Sequence, residues 1–92
     1  MNQEYETGYT IGTITGEKDA RLLVPPYPYT EEGTEIYKSG FTNGYLMRYT
    51  QGLSAKLKAS STNELESLIA TRLEEVSNCI NIENQKQPQT KK

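Results

Sequence analysis

Apolar residues in the last third of the chain fall at Leu65, Leu68, Ile69, Leu73, Val76 and Ile80, the three- and four-residue steps that line one face of a helix. Ser61-Thr62-Asn63-Glu64 stands before them as a capping box, with a hydroxyl for the orphan amides and a Glu three residues on. The pattern predicts a helix from about Thr62 to Ile80. Cys79 lies near the end of this apolar stripe and reads as a small hydrophobe, since no histidine is present to activate it. The stretch ENQKQPQTKK that follows Ile82 has no periodicity, which predicts a single domain over 1–84 and a disordered tail over 85–92.

The middle of the chain has a different pattern. In Tyr37 to Gly52, YKSGFTNGYLMRYTQG, the glycines Gly40, Gly44 and Gly52 fall at multiples of four beside a column of Tyr37, Phe41, Tyr45 and Tyr49. At 100° per residue Tyr37, Phe41, Gly44, Tyr45, Arg48 and Gly52 share an arc of about 100°. A helix from Glu31 to about Lys58 therefore organises the segment. The competing reading is a hairpin, because Asn43-Gly44 suits a type I′ turn, but both of its faces would mix aromatic and polar groups. Upstream, VPPYPYTEEG places Pro25, Pro26 and Pro28 in an extended connection and offers Thr30 as the cap, with Glu31 and Glu32 in the first turn. The prolines and tyrosines could serve a proline-reading module; a rigid connector accounts for them more simply.

The N-terminal segment echoes the middle one. Tyr5-Glu6-Thr7-Gly8-Tyr9-Thr10-Ile11-Gly12 aligns without gaps on Tyr37-Lys38-Ser39-Gly40-Phe41-Thr42-Asn43-Gly44, an offset of 32 residues, and Gly16 extends the first glycine series. Like segments usually adopt like structure and pack on one another, which predicts a helix over 3–22. Local propensity points elsewhere: YTIGTIT alternates as a strand, GEKD suits a turn and ARLLV could return. The expected fold is thus mainly α, a small bundle of two or three helices with Gly-x3-Gly packing. The alternative is α+β, a β-hairpin at 5–24 followed by two helices.

Each glycine inside a helix costs about 1 kcal/mol relative to alanine, so Gly40, Gly44 and Gly52 ask for a compensation of about 3 kcal/mol. Close approach of a second backbone along the i, i+4 row would supply it, with the aromatics as the matching ridge. Gly8, Gly12, Gly40, Gly44 and Gly52 are the expected packing glycines. Glycine at every fourth position with aromatics beside it resembles the Gx3-repeat helices of a family of eukaryotic adaptors that pair with one another and deliver iron–sulfur clusters to a client. The resemblance covers residues 5–16 and 37–52 and departs from the family at Arg48, where the glycine series breaks. It implies a way for helices to pack, and no function is carried across with it.

Composition narrows the function. Apolar residues make up 34% of the 92, with seven tyrosines, one Phe and no Trp, which suits surfaces and interfaces better than a deep interior. One cysteine and no histidine leave no intramolecular disulfide and no protein-only zinc site, and the expectation is a cytoplasmic chain with no cofactor, metal or membrane partner. Charge is segregated. Residues 36–60 carry Lys38, Arg48, Lys56 and Lys58 and no acid, between two acidic segments, and the net charge is −2.

No pattern of general acids, bases or nucleophiles marks an enzyme. The expected function is a small non-enzymatic protein-interaction module, an adaptor, regulator or inhibitor that docks on a protein partner or on a second copy of itself. Tyr and Arg are enriched where binding energy concentrates, which makes Tyr37, Phe41, Tyr45, Arg48 and Tyr49 the candidate partner-binding residues. The alternative is a binder of nucleic acid or of a small phosphorylated ligand, through Arg48, Lys38 and the neighbouring tyrosines. The low isoelectric point, about 5.1, weighs against it.

Overall fold

The computed structural model describes residues 2–59 and 62–86, and it is mainly helical. Helix α1 spans Gln3–Leu22, α2 Glu35–Ala59 and α3 Asn63–Lys86. The repeat prevails over local propensity at the N-terminus: residues 5–24 hold a helix and its exit, where a β-hairpin was the alternative. Asn2 starts α1, its side-chain oxygen accepting from the Glu4 and Tyr5 amides at 2.8 and 3.2 Å. Leu23 ends it in the left-handed region at φ 58, where the Leu23 and Val24 amides donate to the Ala20 and Asp19 carbonyls. Pro25 and Pro26 then prevent the helix from resuming.

Helix α2 begins four residues later than the sequence suggests. Thr30 receives only the Glu32 amide, in a local turn, whereas Thr34 accepts from Tyr37 through its hydroxyl and from Lys38 through its carbonyl. Gly33 sits between them at φ 88, a conformation open to glycine, and the chain turns there into the helix. Helix α3 is capped by Thr62, whose hydroxyl accepts from the Leu65 amide at 3.1 Å; Ser61 of the expected capping box lies outside the described residues. The helix passes the expected end at Ile80 and reaches Lys86, so residues 85 and 86 of the expected tail are helical and 87–92 lie outside the described residues.

Two of the helices form a tight pair, and the order of their contacts fixes its direction. A Cβ added at Gly8 would overlap the Tyr37 carbonyl, one at Gly12 the Phe41 carbonyl and one at Gly16 the Tyr45 carbonyl. Position rises along both helices together, so α1 and α2 run parallel. The reciprocal contacts match as well: Gly40 faces the Tyr5 carbonyl and Gly44 the Tyr9 carbonyl. Under the repeat, Gly8 corresponds to Gly40 and Tyr37 to Tyr5, so each contact recurs with the two helices exchanged. That is the arrangement of a pseudo-two-fold axis running between parallel helices.

Parallel neighbours need a connection that returns along their whole length. The 20 residues of α1 span about 30 Å, and the twelve residues from Leu23 to Thr34, extended, reach about 40 Å. This explains the prolines. The strap runs back along α2, held in turn by three of its side chains: Tyr49 donates to the Val24 carbonyl, Tyr45 accepts from the Tyr27 amide, and Thr42 donates to the Pro28 carbonyl. Pro28 is fully buried, while Tyr27 remains exposed.

Helix α3 has a smaller contact, against α2 alone among the helices. Its Ile69 and Val76 join Ala20, Phe41, Tyr45, Tyr49 and Leu53 in the core, and Leu65 and Leu73 pack at its edge. Arg72 ties it to the end of α1, its Nε donating to the Leu23 carbonyl at 2.8 Å. The architecture is a helix pair with a third helix laid along one flank. Among the described residues no helix is long and apolar enough to cross a membrane.

Candidate functional site

Side chains next to the glycine rows define two flanks of the helix pair, and the pseudo-two-fold exchanges them. The row beside the glycines on α2 is Tyr37, Phe41, Tyr45, Tyr49 and Leu53; its counterpart on α1 is Tyr5, Tyr9, Thr13, Glu17 and Arg21. The first two rungs of each row are aromatic. After that the α2 row stays apolar and the α1 row turns polar.

The α2 row is consumed by the fold. Phe41, Tyr45, Tyr49 and Leu53 are buried, Tyr45 and Tyr49 stack with ring centroids 5.6 Å apart, and Tyr37 is half-buried over Gly33. The buried hydroxyls have fixed partners: Tyr45 donates to the Asp19 carboxylate at 2.5 Å, and Tyr49 donates to the Val24 carbonyl. Burial, and after it the hydrogen bond to Asp19, pushes the Tyr45 phenol far above its ordinary value. Burial pushes the Tyr49 phenol up to about 12, with Arg72 opposing the rise. Of the five residues expected to meet a partner, three are therefore interior in this chain, and Tyr37 and Arg48 keep access to solvent.

The α1 row borders the other flank, which neither the strap nor α3 covers. Tyr5 and Tyr9 stack there at 6.1 Å and are half-exposed. Across the seam the Asn43 amide donates to the Tyr5 hydroxyl at 2.9 Å, and the Tyr9 hydroxyl meets the Met47 sulfur at 3.0 Å. Met47 itself is 41% exposed. Further along, Arg48 reaches over from α2 to the Glu17 carboxylate at 3.1 Å and to the Gln51 side-chain oxygen at 3.3 Å. Arg48 stands at the repeat position of Gly16, so the break in the glycine ladder places a cation on this flank. Both partners of the ion pair are about half exposed, which leaves the pair replaceable.

The flank ends in a groove of about 320 Å³, with Arg21, Arg48 and Lys56 around it and Gly52 and Ala55 as its floor. Gly52 keeps the helices together at this end, since a Cβ there would come within 2.7 Å of the Ala20 side chain. Lys38 does not join this cluster. It lies ten residues from Arg48 along α2, about 15 Å, and pairs with Glu35 at 3.6 Å. The tyrosines adjoining Arg48 in sequence, Tyr45 and Tyr49, present no exposed ring face on which a base could stack.

On the seam the tyrosines that keep accessible rings belong largely to the first copy of the repeat, Tyr5 and Tyr9, and the sequence carries a signal for this in how each row continues. A row that reads Tyr45, Tyr49, Leu53 is made to be covered; one that reads Thr13, Glu17, Arg21 is made to face water. Comparison with protein families, with curated proteins and with solved structures yields no match.

Proposed function

We propose that the chain is a small non-enzymatic protein-interaction module of the cytoplasm, an adaptor, regulator or inhibitor, which docks a partner on the open flank of its parallel helix pair. In this reading the Gly-x3-Gly rows lock α1 and α2 into a rigid platform. The partner meets Tyr5, Tyr9, Met47 and Arg48. One observation carries the proposal: of two flanks built from the same repeat, the strap and α3 fill one, and the other keeps two half-exposed tyrosines, an exposed methionine and an arginine over a glycine seam. These are the residue types in which interface cores are enriched. Their spacing over several turns suits an elongated occupant.

A photo-cross-linking amino acid placed at Met47, and as a control at Thr71 on the exposed side of α3, tests this in the source cell. The expected result is a discrete adduct from position 47 that is absent from position 71 and weakened by Tyr9→Ser, with the helical circular dichroism unchanged. An adduct of twice the chain's mass would identify a second copy as the occupant. Equal labelling from both positions, or none from position 47, contradicts the proposal.

A further inference from the structure

On the premise that the open flank is a docking face, we propose that its occupant is an acidic amphipathic helix of a partner protein, held at its carboxylates by Arg21, Arg48 and Lys56. The argument starts from the pseudo-symmetry. The covered flank shows what this platform accepts: the strap lies along α2 and α3 packs beside it, adding Ile69 and Val76 to the core that holds Tyr49 and Leu53 and reaching the Leu23 carbonyl through Arg72. The open flank is the same groove with its apolar lining replaced. Glu17 stands at the repeat position of Tyr49 and Arg21 at that of Leu53, so an occupant of the open flank meets charge where the covered flank offers hydrocarbon.

The sign of that charge is settled by the lining. Three cations surround the groove and Glu17 is the single acid, in a chain whose net charge is −2. Among the described residues neither Arg21 nor Lys56 forms an ion pair. Glu17 already occupies Arg48 and shows how an incoming carboxylate would sit there, with Gln51 holding the other side of the guanidinium. The spacing favours a line of charges over a point charge. Arg48 and Lys56 are eight residues apart on α2, about 12 Å, which is the separation of acids at i and i+8 on another helix. A small phosphate would need these donors to converge on one place. A groove of about 320 Å³ is too small to enclose a helix, so the occupant lies across it and inserts side chains over the floor of Gly52 and Ala55.

The test uses the full chain and two labelled amphipathic peptides of about 20 residues, one with Glu at i, i+4 and i+8 on its polar edge and one with Lys at the same places, read by fluorescence anisotropy. The Glu peptide is expected to bind, and its affinity to fall at least tenfold as salt rises from about 50 to about 500 mM. Arg21→Gln with Lys56→Gln should weaken it at least tenfold, Lys38→Gln should leave it unchanged, and inorganic phosphate at equal ionic strength should not displace it. Glu17→Gln should tighten binding several-fold by releasing Arg48, the opposite of what loss of a merely structural ion pair would do. Equal binding of the Lys peptide, weakening by Glu17→Gln, a Lys38→Gln effect equal to the double variant's, or displacement by phosphate overturns the proposal. An intact adduct from position 47 alongside any of these results confines the failure to the occupant's charge; loss of the adduct removes the docking face itself.

Discussion

The row Tyr37, Phe41, Tyr45, Tyr49, Leu53 and the row Tyr5, Tyr9, Thr13, Glu17, Arg21 occupy equivalent places on two parallel helices, yet one is interior and the other faces solvent. The glycines between them show no such divergence. Gly8 and Gly40, and Gly12 and Gly44, make reciprocal contacts across the axis, because each backbone must let the other approach. Over these two rungs the seam is constrained from both sides and stays alike, before it diverges at Gly16 and Arg48; positions beside it follow whatever lies over them. On α2 that is the returning strap, whose backbone groups need partners, and tyrosine supplies both a large apolar area and a hydroxyl for them. On α1 neither the strap nor the described part of α3 lies over the row, and it turns polar after two rungs.

The two largest expected effects are of similar size, and the first tests what the rows share. Gly12→Ala should destabilise the fold by about 3 kcal/mol or more, because the new Cβ overlaps the Phe41 carbonyl, although alanine would favour an unobstructed helix by about 1 kcal/mol. Denaturant midpoints decide it, and a gain in stability would mean that the helices do not meet at this point. Gly52→Ala, which meets only the Ala20 side chain, should cost distinctly less.

The next effect separates the rows. Tyr49→Ala should cost about 3 to 5 kcal/mol, since it empties a fully buried site and orphans the Val24 carbonyl, whereas Tyr9→Ala on the open flank should cost about 1 kcal/mol. Similar losses at the two positions would erase the distinction.

A smaller effect follows from the buried phenols. Both have folded-state values raised above the ordinary phenol near 10, so their neutral forms stabilise the fold fully below that pH. The unfolded chain ionises first as pH rises. Stability should fall between about pH 10 and pH 12, by up to about 1.4 kcal/mol per pH unit for each tyrosine, and Tyr49→Phe should flatten the slope. A variant slope equal to the wild type's would show that Tyr49 is not shielded.

The smallest effect belongs to the ion pair of the open flank. Arg48→Gln should change stability by less than about 1 kcal/mol, because Arg48 and Glu17 are both well exposed. A loss of several kcal/mol would make Arg48 a structural residue and remove it from the site.

Much of the fold was legible in the sequence, because α3 announces itself by its apolar period and the repeat fixes α1 once the two segments are aligned. Topology was less accessible. The glycine ladder implies close approach but not direction, and the parallel arrangement follows only when the twelve-residue strap is seen to span α1. The cap of α2 was misplaced at Thr30 because Glu31 and Glu32 mimic a first turn, while the positive φ of Gly33 lies between them and the helix. The richer aromatic row draws the eye in the sequence, which does not show that the strap covers it. Tyr45 and Tyr49 look like hot spots in a sequence, and in the structure they hold the strap.

The division of labour between the two rows is tested most directly by residue-resolved tyrosine nitration, read by mass spectrometry in the free chain and in the adduct cross-linked from position 47. Tyr5 and Tyr9 should react in the free chain and be protected in the adduct, while Tyr45 and Tyr49 should resist in both until the chain unfolds. Reaction of Tyr45 or Tyr49 as fast as Tyr9 in the folded chain, or a Tyr9 that reacts equally with and without the partner, would contradict that division.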